Sequence, residues 1–340
     1  MTGKRKTLAY LDDNNGVNSY VERMCELLGD IVSVDTFPSV AVLVTERLMG
    51  RRPFYDSIFV SWIENDLVSK SGYISLLGIL KVFAKALLLR LCGRRLVFFR
   101  HNRYPHATHP SSAKCAQRLT DILATMFDVR VLHSEAENVR GYLYCPHPLY
   151  KVVLDENSQL PADLERLDDF IVIFGRMESY KHIEAFISGF PEGKMLLVIG
   201  AAESGSSCVA RLLAMQRKNV MVRPGYLSNA QAQAVIARAS ALVITHADKS
   251  AIVSGSFFFG ISIGTPVYAL ETSFIRHVAS MLGSEVVVAA SDIESLCKYV
   301  GSSAPVKHCP AAVNACVEKA FGDDAVRRSL KIILDEKAEC

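Results

Sequence analysis

Arg176 and Lys181 flank a short loop, Phe174-Gly-Arg-Met-Glu-Ser-Tyr-Lys181, that follows an apolar strand-like run and precedes a helical pattern. A guanidinium fork and an ammonium point charge at the carboxyl end of a parallel strand suit a diphosphate. A second anion signal is Ser254-Gly255-Ser256. It opens an apolar segment of helical length, Phe257 to Ile263, which Gly264 stops before Pro266 and the next strand-like run. Such a helix entrance leaves backbone N–H groups and a positive dipole end facing the loop. Two further loops follow strand-like runs. Ile199-Gly-Ala-Ala-Glu-Ser-Gly-Ser206 has glycines that admit close backbone approach, and Arg223-Pro-Gly-Tyr226 leads to Ser228, a good helix N-cap.

In the first half of the chain the candidate groups are His101 and Glu64, each just after a strand-like run. Either suits a general base or a contact to a hydroxyl, and a hydrogen-bonded or capping role fits as well. His101, His106 and His109 match no zinc spacing and no Cys lies at ligand distance, so no metal is expected. His147 sits between two prolines and reads as structural.

The elements that must position these groups alternate strand and helix throughout. Strand-like runs fall at Leu8–Leu11, Ile31–Asp35, Ser57–Trp62, Leu96–Arg100 and Val129–His133, then at Phe170–Phe174, Met195–Ile199, Val220–Arg223, Leu242–Thr245, Val267–Leu270 and Val286–Ala289. Helical patterns lie between them, for example Val17–Leu28, Ala113–Phe127, His182–Phe190 and Ala230–Ala239. This alternation predicts two doubly wound parallel α/β sheets. The joint falls near Tyr144-Cys-Pro-His-Pro-Leu-Tyr150, where two prolines in three residues cannot continue a helix. The expected domains are 1–150, 151–310 and a terminal helical stretch, 311–340, packing back on the first. In open α/β sheets ligands sit at the carboxyl ends of the strands, which puts the weight on the post-strand loops.

The bulk numbers narrow the class. Half of the 340 residues are hydrophobic, and a net charge of +3 is too mild to argue for nucleic acid. The nine cysteines are odd in number and scattered, and no apolar leader opens the chain, so a reduced, cytoplasmic protein is expected. Tyr73 to Cys92, followed by Gly93-Arg94-Arg95, is the unusual stretch. From Gly72 through His101 every charged residue is basic, and Lys81, Lys85 and Arg90 interrupt the leucines. The region Tyr73–Arg95 reads as a basic amphipathic helix for an anionic membrane surface, a reading that Arg94 and Arg95 favour by extending the positive patch; the alternative is a buried crossover helix with snorkelling lysines.

The order of these motifs resembles one family. F-G-R-x(4)-K, then a Gly-rich loop, then G-Y-L-S, then S-G-S…G-T-P-V is similar to the donor-side loops of GT-B glycosyltransferases, most of all those that build exopolysaccharide units on a lipid carrier, such as the xanthan-type mannosyltransferases. The resemblance implies a GT-B fold, two Rossmann-like domains facing a cleft. It implies that Arg176 and Lys181 hold the nucleotide diphosphate, that Gly225 and Tyr226 lie against the base, that Ser254, Gly255 and Ser256 take the phosphates, and that Lys249 assists. Loosely similar segments occur in the first half: Asp12 to Tyr20, Ser61 to Asn65, Arg100 to His106 and Tyr144 to Tyr150. They implicate Asn15, Asn18, Tyr20 and Asn102 on the acceptor side. One departure stands out: the two Glu usual in retaining members are replaced by Ala251 and Phe259.

What the resemblance implies is a metal-independent transfer of a hexose from a UDP- or GDP-sugar, without other cofactor, to a saccharide or polyprenyl-linked acceptor at the inner face of the plasma membrane. The absent Glu pair tilts the reading toward inversion, with His101 or Glu64 as base. A nucleotide-sugar epimerase, a pyruvyltransferase of similar fold and a non-catalytic nucleotide-sugar-binding partner are the other readings.

Overall fold

The computed structural model describes residues 6–11, 19–69, 71–106, 108–137, 139–153, 160–202, 205–302 and 311–335. They form two compact units. One comprises Met1–Pro148, Lys249–Val253 and Phe321–Cys340; the other comprises Leu149–Asp248 and Ser254–Ala320.

In chain order the elements of the first unit are β1 (Thr7–Leu11), α1 (Ser19–Gly29), β2 (Ser33–Phe37), α2 (Val40–Leu48), β3 (Tyr55–Ser61), α3 (Leu76–Leu89), β4 (Gly93–Arg100), α4 (Ala113–Ala124), β5 (Val129–Leu132) and β6 (Leu143–Tyr144). The second unit runs α5 (Ala162–Glu165), β7 (Phe170–Phe174), α6 (Ile183–Gly189), β8 (Met195–Gly200), α7 (Ser207–Ala214), β9 (Val220–Pro224), α8 (Asn229–Arg238), β10 (Ala241–Ile244), α9 (Gly255–Ile263), β11 (Val267–Leu270), α10 (Ser273–Leu282), β12 (Val287–Ala290), α11 (Ile293–Ser302) and α12 (Ala311–Phe321). The last helix, α13 (Asp323–Asp335), packs against α1 of the first unit. Arg327–Asp30 (2.9 Å) and Arg23–Asp323 ion pairs accompany that packing.

The first sheet has the order β2-β1-β3-β4-β5-β6, with every pair parallel. Helices cover it, so its central strands are near-continuous apolar runs. Ile58, Val60, Leu96 and Phe98 pack with Leu43, Val82, Leu89 and Leu123 of α2, α3 and α4. The strand expected at Ile31–Asp35 lies two residues later. The amides of Ile31 and Val32 still bond back to Leu28 O, completing the end of α1 before pairing begins.

α3 begins where Ser75 caps the Gly78 amide at 2.9 Å. A Cβ at Gly78 would meet the Asp66 carbonyl at 2.4 Å, so the helix start presses on the 3-10 turn Ile63–Leu67. Lys81 and Lys85 both reach the Asp66 carboxylate, at 2.8 and 2.6 Å. Both lysines of this helix are thus drawn to a single carboxylate within the unit, which balances one of their two charges. The outward face carries leucines instead, with Leu76 at 74% and Leu77 at 77% exposure. Among the described residues no helix is long and apolar enough to cross a membrane.

The second sheet has the order β12-β11-β10-β7-β8-β9, again all parallel. Its core joins Ile171, Ile173, Leu196, Val198, Val222 and Val243 to Phe186, Leu212 and Leu296. The chain starts at β7, winds outward to β9, then returns to β10 on the other side of β7. That reversal is the topological switch point of a doubly wound sheet, where the loops after the two central strands splay apart. The loops concerned follow β7 and β10, and they carry Arg176, Lys181 and Ser254–Ser256. In the first sheet the reversal lies between β1 and β3, so the residues just past β3, including Glu64, occupy the equivalent edge.

Candidate functional site

At the carboxyl edge of the second sheet three adjacent strands end in glycines with positive φ: Gly175 (121°), Gly200 (155°) and Gly225 (153°). The Gly225 amide bonds Gly200 O at 2.9 Å and the Gly175 amide bonds Ile199 O at 3.1 Å. A Cβ built on Gly200 would lie 2.0 Å from Gly175 O. Two backbones touch here with no room for a side chain. Gly200→Ala should lower unfolding stability by about 2 kcal/mol or more, since both the φ and the collision oppose it. Gly205→Ala, with open space around its φ of +75°, should cost about 1 kcal/mol. Urea titration of the two variants measures the difference, and equal midpoints would refute the close approach.

The loop after β7 folds Lys181 back over this edge. Its Nζ lies 3.3 Å from the Cβ position of Gly175, and Ser256 Oγ lies 4.0 Å from the same point. Thr245, buried at the end of β10, donates its hydroxyl hydrogen bond to the Lys181 carbonyl and pins the two switch-point loops together. Burial pushes the Lys181 ammonium down to about 8, with Glu178 opposing and Arg176 adding to the fall. Arg176 is exposed and lies 3.2 Å from Glu178.

α9 supplies the third wall. Ser254 caps it by accepting from the Phe257 amide at 3.3 Å, so the Gly255 and Ser256 amides head the helix. Gly264, at φ 85°, ends it, and Thr265 N closes a six-residue turn to Gly260 O. Gly260 is required by packing: a Cβ there would meet Leu242 Cδ2 at 2.8 Å. Phe257 and Phe258 are core residues, as their apolar run suggests. Phe259 is half-buried and stacks on Phe174, with ring centroids 5.4 Å apart, and tilts against Tyr150. An apolar stack therefore stands beside the helix entrance where a carboxylate is absent. Tyr226 projects from its loop at 75% exposure, and Ser228 caps α8 in a capping box with Gln231. Arg176, Lys181, Gly225, Tyr226, Ser254, Gly255 and Ser256 thus share the carboxyl edge of one sheet.

Residues Lys249–Val253 group with the first unit. Arg103 N bonds Ser250 O at 2.7 Å, Arg103 Nη1 donates to Lys249 O at 2.9 Å, and Ile252 N reaches His101 O at 3.2 Å. His106 Nδ1 pairs with Ser250 Oγ at 2.8 Å.

The first unit gathers its groups past β3, β4 and β5. Asn15 and Asn18 lie outside the described residues. Tyr20 is buried at the start of α1 and donates to His133 Nε2 at 2.7 Å; His133 Nδ1–H in turn donates to Cys145 O at 2.7 Å, which fixes that tautomer. His101 does not open into solvent. Trp62, in the left-handed conformation at φ 56°, stacks on it at 4.1 Å, and Tyr20 meets it edge-on at 4.7 Å. Only 6% of His101 is exposed. Its pKa falls well below the ordinary imidazole value, through burial first and then through His133, His147 and His106. His133 itself is driven down to about 4, chiefly by burial. Sequence reasoning missed His133 and Thr245; the position of each directly after a strand was the available signal.

Glu64 is wholly buried, and among the described residues neither carboxyl oxygen has a hydrogen-bond partner. Burial pushes it up to about 7, against its own backbone amide and the Arg100 and His106 charges. Asn102, buried as well, has an Nδ2 without a partner among the described residues. Among the described residues no three His, Cys, Asp or Glu converge as metal ligands.

No protein-family model matches this chain, and no curated protein matches it by sequence. Solved structures do match in fold. The sucrose-phosphate synthase of Thermosynechococcus elongatus superposes with a TM-score of 0.69 at 13% identity, covering 97% of this chain and 98% of its own. The UDP-forming α,α-trehalose-phosphate synthase of Burkholderia xenovorans gives 0.65 at 10%, covering 99% and 100%. HepE of Anabaena, solved in complex with UDP and glucose, gives 0.63 at 13%, covering 97% and 99%. The likeness spans whole chains, and with the two parallel six-stranded sheets it establishes an α/β fold of the GT-B class.

Proposed function

We propose that this protein is a glycosyltransferase that takes a sugar from a UDP- or GDP-sugar. The observation that carries the reading is the position of Lys181. Its half-buried ammonium lies over a side-chain-free backbone edge, beside the amide-bearing entrance of α9, at the switch point of a doubly wound sheet. Further support comes from the fold neighbours: HepE was solved with UDP and with UDP-glucose, and the Burkholderia synthase is UDP-forming. UDP is therefore the favoured nucleotide.

Breaking the bond between sugar and diphosphate builds negative charge on the leaving oxygen. Lys181, Arg176 and the Gly255 and Ser256 amides supply fixed positive charge and donors for it, which is the role a divalent cation fills in other enzymes. Tyr226 offers an exposed ring to the base. Phe259, stacked on Phe174, offers the sugar an apolar face rather than a carboxylate. In an inverting reaction a base must deprotonate the acceptor hydroxyl. Of the two candidates Glu64 is better matched to proton transfer near neutral pH, and His101 is enclosed and held far below it. Glu64 is enclosed too, so this role requires acceptor binding to uncover it. The acceptor we favour is a lipid-linked or free oligosaccharide of cell-surface or exopolysaccharide assembly, met at the cytoplasmic membrane face.

A thermal-shift series with UDP, GDP, TDP and CMP tests the donor site. UDP or GDP near saturation should raise Tm by about 2–4 °C, and CMP by less. Identical melting with all four would remove the basis of the proposal.

A further inference from the structure

The outward face of α3 is a leucine surface, and it does not end with that helix. Leu76, Leu80, Leu87 and Leu91 recur at helical spacing along its exposed side, flanked by Leu77 and Leu88. At the far end of α3 a second exposed cluster begins: Leu48, Met49 and Phe54, on the connection between α2 and β3. The chain segments that carry the two clusters are neighbours in the backbone. Tyr55 N bonds Cys92 O at 2.9 Å, Tyr55 lies opposite Gly93, and the Arg47 guanidinium, 5.7 Å over the Phe54 ring, also acts electrostatically on Cys92. Apolar exposure on this scale marks an interaction surface.

The charges around the face are one-sided. The carboxylates beside it are engaged: Asp66 by Lys81 and Lys85, Glu46 by Arg52, and Asp128 by Arg90. Arg51 and Arg94 are exposed and have no carboxylate partner among the described residues. A second copy of the chain docked face to face would bring these arginines against like charge, because a two-fold interface pairs a surface with itself. A bilayer presents the complementary pair, hydrocarbon for the leucines and anionic headgroups for the arginines.

We propose that α3 and the α2–β3 connection together form a docking face for an anionic lipid surface, held mainly by inserted leucines. A helix of this length lies flat over about 20 Å of interface. Lys81 and Lys85, tied to Asp66, are not the residues that meet the lipid. The inference stands on this face alone and is independent of the donor-site reading.

Sedimentation with phosphatidylcholine vesicles, with and without phosphatidylglycerol, tests it. The parent protein should bind the mixed vesicles. Leu77→Ser, Leu80→Ser, Leu87→Ser and Leu88→Ser combined should weaken partitioning by about ten-fold or more. Arg51→Gln with Arg94→Gln should reduce the preference for anionic vesicles a few-fold, and Lys81→Gln with Lys85→Gln should leave it within about two-fold. The serine positions are exposed, and circular dichroism melting verifies that the variant folds. UDP binding by the serine variant and vesicle binding by Lys181→Met should both persist, which separates failure of this face from failure of the donor site. The proposal is overturned if the serine variant partitions like the parent. It is also overturned if the parent ignores vesicles, or forms a concentration-dependent dimer that the serine variant loses.

Discussion

Lys181→Met should weaken UDP binding by about 30- to 100-fold, on the order of 2–3 kcal/mol, while leaving the ligand-free protein as stable as the parent or more so. The two halves of this expectation have one cause. Lys181 Nζ sits half-buried over Gly175, and burial is what pushes its pKa down to about 8. A buried cation held ready for an anion is costly until the anion arrives. Methionine keeps most of the length and apolar contact and removes the charge, so the cost goes and the diphosphate loses its partner.

The same depressed pKa fixes a pH signature. An unfolded lysine titrates near about 10.4. Below about 8 both states carry the proton, and the penalty on the folded state is complete. As pH rises from 8 toward 10, the folded state releases its proton first, and stability rises through that window. Binding of a diphosphate pulls the proton back. Calorimetry with UDP near pH 8.5, in buffers of different ionisation enthalpy, should therefore report proton uptake of a fraction of one that is absent near pH 6.5 and absent in Lys181→Met. Equal uptake by variant and parent would assign the proton elsewhere. A Lys181→Met protein that binds UDP as tightly as the parent would remove Lys181 from the donor site.

Local chemistry made part of this site legible in the amino-acid sequence. The α9 entrance needs a serine cap and its exit a glycine in the left-handed region, and Ser254 and Gly264 are both short-range signals. Strands buried on two faces announce themselves as apolar runs, so Phe170–Phe174 and Val267–Leu270 are where the run predicts. What depends on strands meeting out of order was not legible. Periodicity does not say that β10 returns beside β7, and only that pairing makes Arg176, Lys181 and Ser256 neighbours. Long-range partners were hidden for the same reason. Asp66 precedes Lys81 by fifteen residues and lies on a 3-10 turn, so two lysines of a helix that reads as basic share one carboxylate at its centre. His101 reads as a reactive strand-end imidazole, and its enclosure depends on Trp62, Tyr20 and His133 from three other parts of the chain.

Glu64→Gln should change the pH dependence of stability and of turnover in ways that can be told apart. The carboxyl is wholly buried, without a partner for either oxygen among the described residues, and is pushed up to about 7 by that burial. An unfolded glutamate titrates near about 4.3. Below that both states are protonated and Glu64 imposes no ionisation penalty. Between about 4.3 and 7 the folded state keeps a proton that the unfolded state has released, so stability falls as pH rises. Above 7 both are ionised, and the folded state carries the full cost, at most about 4 kcal/mol. Glutamine cannot ionise. The stability of the variant relative to the parent should therefore climb from pH 5 to pH 8 by up to that amount, as read from urea midpoints at each pH. A difference that stays flat would mean that Glu64 finds a counter-charge or water when ionised. Turnover is the independent readout. As the acceptor base, Glu64→Gln should lower kcat by about 100-fold or more with UDP affinity unchanged. Unchanged kcat together with the climbing stability difference would make Glu64 a buried acid held at the first sheet's switch point for some reason other than proton transfer.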